Sequence, residues 1–135
     1  MMEGTVKEGY AHSDLTSKII GCAYEVHKEL GPGFLEKVYE AALLHEIRSL
    51  GLRAEAQSPI PVRYKGAVVG DYFADILVEG AVVVEIKASE ALSSIHEAQL
   101  LHYLKASGIE VGLLLNFGRP SVQVKRMVRT KSKTD

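Results

Sequence analysis

The stretch that most limits the fold is the apolar sequence on either side of Glu79-Gly80, residues 73–88. Side chains along a strand alternate between two faces. Ala74, Ile76 and Val78 are therefore expected on one face, and Phe73, Asp75 and Leu77 on the other. On the return, Val82, Val84 and Ile86 share a face, and Glu85 and Lys87 share the opposite one. The pairing register decides which sets meet, because a slip of one residue exchanges the faces. A two-residue turn at Glu79-Gly80 sets Asp75 opposite Val84 and places Glu85 on the face of Ala74 and Ile76. A three-residue loop, Glu79-Gly80-Ala81, stacks Val78 on Val82 and Ile76 on Val84, and sets Asp75 opposite Glu85. Gly80 can adopt the positive φ that such loops need. The apolar pattern selects the second register, and with it two carboxylates side by side.

Two carboxylates directly across a sheet repel unless positive charge intervenes. Hard oxygen donors in a pair suit Mg²⁺ or Mn²⁺. Lys87, two residues along on the face of Glu85, can offset charge or position a water. The plainer reading is a salt bridge to Lys87 on an exposed sheet face, since an aspartate followed later by Glu-x-Lys is a short pattern that arises by chance.

The elements around the hairpin follow from periodicity and punctuation. A first helix is expected from Ser13, with Ile19, Ala23, Val26 and Leu30 at helical spacing and a stop at Gly31-Pro32. A second runs over residues 35–50 and ends at Gly51. Strands are expected over residues 53–57, 60–64, 68–78 and 82–88, with a turn at Lys65-Gly66. A third helix starts near Ser94, where Ser94 and Glu97 have capping-box spacing, and ends at Ser107-Gly108. Residues 111–117 have the pattern of a buried strand and 122–128 that of an edge strand. This order (two helices, strands, a helix, a strand) implies an α/β domain with a central sheet flanked by helices. That domain spans residues 13–128, between a loose arm over 1–12 and a basic tail over 129–135. The tail's charge begins at Arg126 and continues through Arg129, Lys131 and Lys133, and is expected to be solvated.

Polar residues within apolar stripes mark further candidates. On a helical projection Glu36 shares the face of Tyr39, Leu43, Ile47 and Leu50. It is either a first-turn glutamate that reaches solvent, favoured there by the helix dipole, or the partner of a metal or a lysine. On the third helix Ile95, His96, Gln99, Leu100, Tyr103 and Leu104 share a side. Gln99 and Tyr103, four apart, can reach the same place, either to satisfy each other in the core or to meet a ligand. His27 lies in the stripe of the first helix, where a lone histidine is usually a hydrogen-bonded structural group. His96 is a helix-entry residue near the same region.

Composition removes several function classes. The 135 residues carry a net charge of −1, so there is no global electrostatic signature of nucleic-acid binding. The single cysteine, Cys22, rules out an internal disulfide framework and fits a reducing cytoplasm. No run approaches the roughly 18 apolar residues of a membrane span. Residues 1–12 hold two glutamates and no apolar run, unlike a signal peptide.

Several segments together resemble a known family. Gly33-Phe34-Leu35-Glu36-Lys37-Val38-Tyr39 is similar to the signature of the GxxExxY family, a bacterial and archaeal group in the PD-(D/E)XK nuclease superfamily. The similarity takes in Glu25 through Gly33, Tyr72 through Asp75, Val84 through Ala88, His96 through Leu104 and Val111 through Gly118, motifs spread along a resemblance that covers about residues 13–128. The resemblance implies a restriction-endonuclease-like three-layer core around a mixed sheet. It implies an acid from the first core helix joining an aspartate and a Glu-x-Lys, roles that fall on Glu36, Asp75, Glu85 and Lys87. A Gln-x-x-x-Tyr motif known from helicase-associated members matches Gln99 and Tyr103. The proline that gives the superfamily its name is replaced by Ala74.

The expectation is thus a Mg²⁺- or Mn²⁺-dependent nuclease hydrolysing DNA or RNA. Asp75, Glu85, the Ile86 carbonyl and Glu36 would hold the metal, Lys87 would orient water, and Gln99 and Tyr103 would position site or substrate. Two other readings share the fold: a non-catalytic binding or dimerisation module, working with a second copy or a protein partner, and a metal-dependent hydrolase of another phosphoester.

Overall fold

The computed structural model describes residues 12–129, and the arm up to residue 11 and the tail from residue 130 lie outside the described residues. The elements in order are α1 (Ser13–Leu30), α2 (Glu36–Ser49), β1 (Ala54–Tyr64), β2 (Ala67–Val78), β3 (Val82–Lys87), α3 (Ser94–Ser107), β4 (Val111–Asn116) and β5 (Gln123–Val128). The strands form one mixed sheet in the order β1-β2-β3-β4-β5, parallel between β3 and β4 and antiparallel elsewhere. Arg126 to Val128, expected to open the tail, belong to edge strand β5, paired with β4 from Leu113 back to Val111.

Helices cover both faces. Ile19, Val26, Tyr39, Leu43 and Ile47 from α1 and α2 pack on Ile76, Val84, Ile86 and Leu115. Leu100 and Leu104 of α3 pack on Ile60, Val83 and Leu114 from the other side. Every residue of β4 is buried, as a central strand covered on both faces must be. A Cβ on Gly112 would lie 3.1 Å from the Leu100 side chain, so glycine permits the close seating of α3 on β4.

The hairpin has the register that the apolar alternation selects. Ile76 pairs with Val84, Leu77 with Val83 and Val78 with Val82, and Glu79 and Gly80 both take positive φ in the loop. Three expectations are corrected. First, β1 is one strand instead of two; Pro59 and Pro61 are accommodated because β1 is an edge. Secondly, α3 is capped by Ser93, one residue earlier. The Ser93 hydroxyl accepts from the His96 amide at 3.3 Å, and His96 Nδ1 accepts from the Ser93 amide at 3.4 Å. Ser94 is already the first helical residue, and the second half of the box is His96 in place of Glu97.

Thirdly, Ala74 does not share the core of Ile76 and Val78. It packs on the α3 side, whereas they pack on the α1–α2 side. The change falls at Asp75, opposite Gln57, whose φ of 51° interrupts the extended backbone of β1 and puts the pleat out of step. No helix among the described residues is long and apolar enough to cross a membrane.

Candidate active site

The β2–β3 ladder stops at Ile76–Val84, and beyond it the two strands fork. Continued by one step, the register sets Asp75 opposite Glu85. Side chains replace the missing ladder bonds there. The Ile86 amide donates to Asp75 Oδ2 at 2.8 Å, and the Asp75 amide lies 3.3 Å from Glu85 Oε2. The two carboxylates therefore meet in the fork, that of Asp75 held by the Ile86 amide and that of Glu85 by the Asp75 amide. Along an extended strand successive carbonyls point to opposite neighbours. The Lys87 carbonyl accepts from Phe117 on the β4 side, so that of Ile86 faces the fork with Asp75 and Glu85.

The Glu85 carboxylate also accepts a hydrogen bond from the Tyr72 hydroxyl. The Tyr72 ring stacks on Tyr103 of α3, centroids 3.4 Å apart and planes at 13°. Burial, followed by the charge of Asp75, pushes the Glu85 carboxyl up to about 7, against the opposing pull of Tyr72, the Asp75 amide and Lys87. Burial and the neighbouring Glu85 push the Tyr72 phenol far upward, so it remains a donor. Gln57, at its left-handed position, bridges two acids. Its amide donates to Glu40 Oε1 at 3.1 Å and lies 3.4 Å from Asp75 Oδ1.

Of the residues expected here, Asp75, Glu85, Lys87, the Ile86 carbonyl and Tyr103 gather at the fork. Glu36 does not join them. It is exposed at the first turn of α2, beside Ala88, and the buried stripe of that helix begins only at Tyr39. Leu50, assigned to the same stripe, is 54% exposed. Among the described residues no three His, Cys, Asp or Glu side chains cluster as a metal group would. The α2 acid that is buried and linked to Asp75, through Gln57, is Glu40. Gln99 and Ile95 are exposed on α3. Gln99 makes no hydrogen bond to Tyr103 among the described residues. His27 is structural: Nε2 lies 2.8 Å from the Arg119 carbonyl and the ring stacks on Phe117.

Sequence reading passed over Glu40, Gln57, Tyr72 and Asn116. Glu40 carries a usable signal, since it is one helical turn beyond Glu36 and stands three residues before Leu43 and seven before Ile47, both in the stripe. Asn116, fully buried, ties the chain just past Lys87 to the end of β4. Its amide donates to the Ser89 carbonyl at 2.9 Å, and its oxygen accepts from the Ser89 and Gly118 amides.

A family model described as PD-(D/E)XK nuclease superfamily matches residues 13–127, the whole described domain except its last residues and His12. The chain belongs to the PD-(D/E)XK nuclease superfamily. The five-stranded mixed sheet, forked at the acidic pair and flanked by helices, is the restriction-endonuclease-like core of that superfamily. Among solved structures, the crystal structure of SSO0001 is similar with a TM-score of 0.54 and 19% identity, over 98% of this chain and 59% of that one. That likeness is one of fold alone, and this chain spans 59% of the other's length. No curated protein matches the chain.

Proposed function

We propose that the protein is a nuclease of the GxxExxY group that hydrolyses phosphodiester bonds in nucleic acid with Mg²⁺ or Mn²⁺. The single observation that carries this reading is the meeting of Asp75 and Glu85 in the fork, with the Ile86 carbonyl facing the same gap and Lys87 beside Glu85. The donor set fits a hard cation: carboxylate and carbonyl oxygens, in a place where burial and like charge already hold Glu85 up to about 7. Asp75, Glu85 and the Ile86 carbonyl would hold the ion.

When bound, the ion would lower the pKa of a water and neutralise charge on the reacting phosphate. The protein's own groups supply the rest. Lys87 orients the attacking water or offsets charge near Glu85. Tyr72 holds the Glu85 carboxylate, backed by its stack on Tyr103. Glu40 fixes the Gln57 amide, which restrains Asp75, so the helix acid acts through a neighbour. Gln99, exposed on α3, remains available to the substrate backbone.

The test is cleavage of plasmid DNA, single-stranded DNA and RNA with Mg²⁺ or Mn²⁺, for the wild type and for Asp75→Ala and Lys87→Ala. Loss of at least about a hundredfold in each variant is expected, the scale of a removed electrostatic or proton-handling group. Cleavage that survives both substitutions unchanged would sink the reading.

A further inference from the structure

The Gly33, Glu36 and Tyr39 positions are left without a part in the fork. Tyr39 is fully buried and stacks on Phe117, centroids 4.6 Å apart. Its hydroxyl donates to the Gly31 carbonyl at 2.5 Å and accepts from the Phe34 amide at 3.2 Å. Gly33, at φ 115°, supplies a turn that a side chain would strain. The tyrosine thus fixes the backbone of the loop before α2 and fills the space beneath it. Phe34, edge-on to Tyr39 at 6.1 Å, is left 47% exposed, and Leu35 is 80% exposed. The loop is thus fixed in place while it presents two neighbouring large apolar side chains to water.

Phe34 and Leu35 line a cavity of about 320 Å³ together with Glu36, Lys37 and Ala88. Ala88 follows Lys87 at the end of β3 and packs on the α1–α2 side of the sheet, so the cavity opens at the strand end that also carries Glu85 and Lys87, on the opposite face from them. Its contents are an aromatic side chain for stacking, an unpaired carboxylate acceptor and an exposed ammonium. Glu36 makes no hydrogen bond or ion pair among the described residues, and Lys37 reaches Glu40 only at 4.0 Å.

We infer that this cavity is a subsite for one unpaired nucleobase of the nucleic-acid substrate, next to the phosphate bound at the fork. The base stacks on Phe34, because every base offers a π-face to an aromatic ring. Glu36 accepts from an exocyclic amine, which cytosine, adenine and guanine carry and thymine lacks. Lys37 meets the adjoining phosphate. The subsite rests on the nuclease reading for its substrate, and it assigns Glu36 to recognition in place of metal binding.

The chain contains no tryptophan, so Phe34→Trp places one reporter in the cavity. The full-length variant is titrated, in chelator, with oligonucleotides of about 12 nucleotides, comparable to known single-strand site sizes. The probes are single-stranded oligo-dC, oligo-dT and oligo-rC, and a blunt duplex. Saturable quenching by single strands and none by the duplex is expected, with oligo-dC tighter than oligo-dT. Glu36→Gln in the same background should erase that preference. By anisotropy with labelled oligo-dC, Phe34→Ala should weaken binding about tenfold, whereas Phe34→Tyr retains it. An unchanged melting temperature separates this loss from misfolding.

Quenching by neither DNA nor RNA single strands, or equal quenching by the duplex, overturns the inference. Equal affinity for oligo-dC and oligo-dT overturns the part given to Glu36. Cleavage without quenching leaves the nuclease reading standing and removes this subsite. Quenching without metal-dependent cleavage does the reverse.

Discussion

Glu85→Gln should make the domain more stable at alkaline pH, and the margin follows from the fork. Glu85 is pushed up from 4.5 to about 7 by burial and then by Asp75. Below pH 4.5 the carboxyl is protonated in both the folded and the unfolded chain, and its titration contributes nothing. As pH rises from 4.5 towards 7, the unfolded chain releases the proton while the folded chain retains it. The unfolded state then binds fewer protons, so stability falls with rising pH through that window and levels off above it. The difference between 4.5 and about 7, at ~1.4 kcal/mol per tenfold, corresponds to about 3 kcal/mol.

Partial solvent access to the half-buried carboxylate reduces the expected effect to about 1–3 kcal/mol. Glutamine keeps the shape and the acceptor for Tyr72 and the Asp75 amide, but never ionises. Urea unfolding followed by tyrosine fluorescence, in chelator at pH 5, 6, 7 and 8, measures both proteins on one scale. The gap between variant and wild type should open between pH 5 and 7, in favour of Glu85→Gln. Adding Mn²⁺ at pH 8 should close it by stabilising the wild type selectively. A gap that stays constant with pH refutes the reasoning, because the carboxyl then titrates alike in folded and unfolded chains.

Two further outcomes test the supporting frame. Tyr39→Phe removes the hydroxyl shared by the Gly31 carbonyl and the Phe34 amide; a loss of about 1–3 kcal/mol in urea unfolding is expected for these buried partners. Gly118→Ala sets a Cβ against the Ser89 backbone; displacement of the Ser89 segment that Asn116 ties to the end of β4 should lower stability by about 1–3 kcal/mol and reduce cleavage, both measured on the purified variant.

What the chain alone determined is governed by periodicity. A period of two together with a core selects between the two tight-loop registers of the β2–β3 hairpin, since a slip of one residue would turn Glu85 into the face of Ile76 and Val78. That single constraint brought Asp75 to Glu85 before any tertiary contact was known. The helices were legible for the same reason, and their ends because Gly31, Gly51 and Gly108 occupy positive φ where other residues are strained.

Tertiary structure decided which acid of α2 reaches the site. Glu36 and Glu40 are one helical turn apart and project in nearly the same direction, so a projection ranks them alike. The point along α2 at which the sheet begins to cover it separates them, exposing the first and burying the second. The same holds for Gln57, whose left-handed φ no local pattern announces, and for the fork at Asp75, where β2 leaves β3 and changes faces. Register and helical phase are properties of one segment; depth and the place where strands part are set by what packs against them.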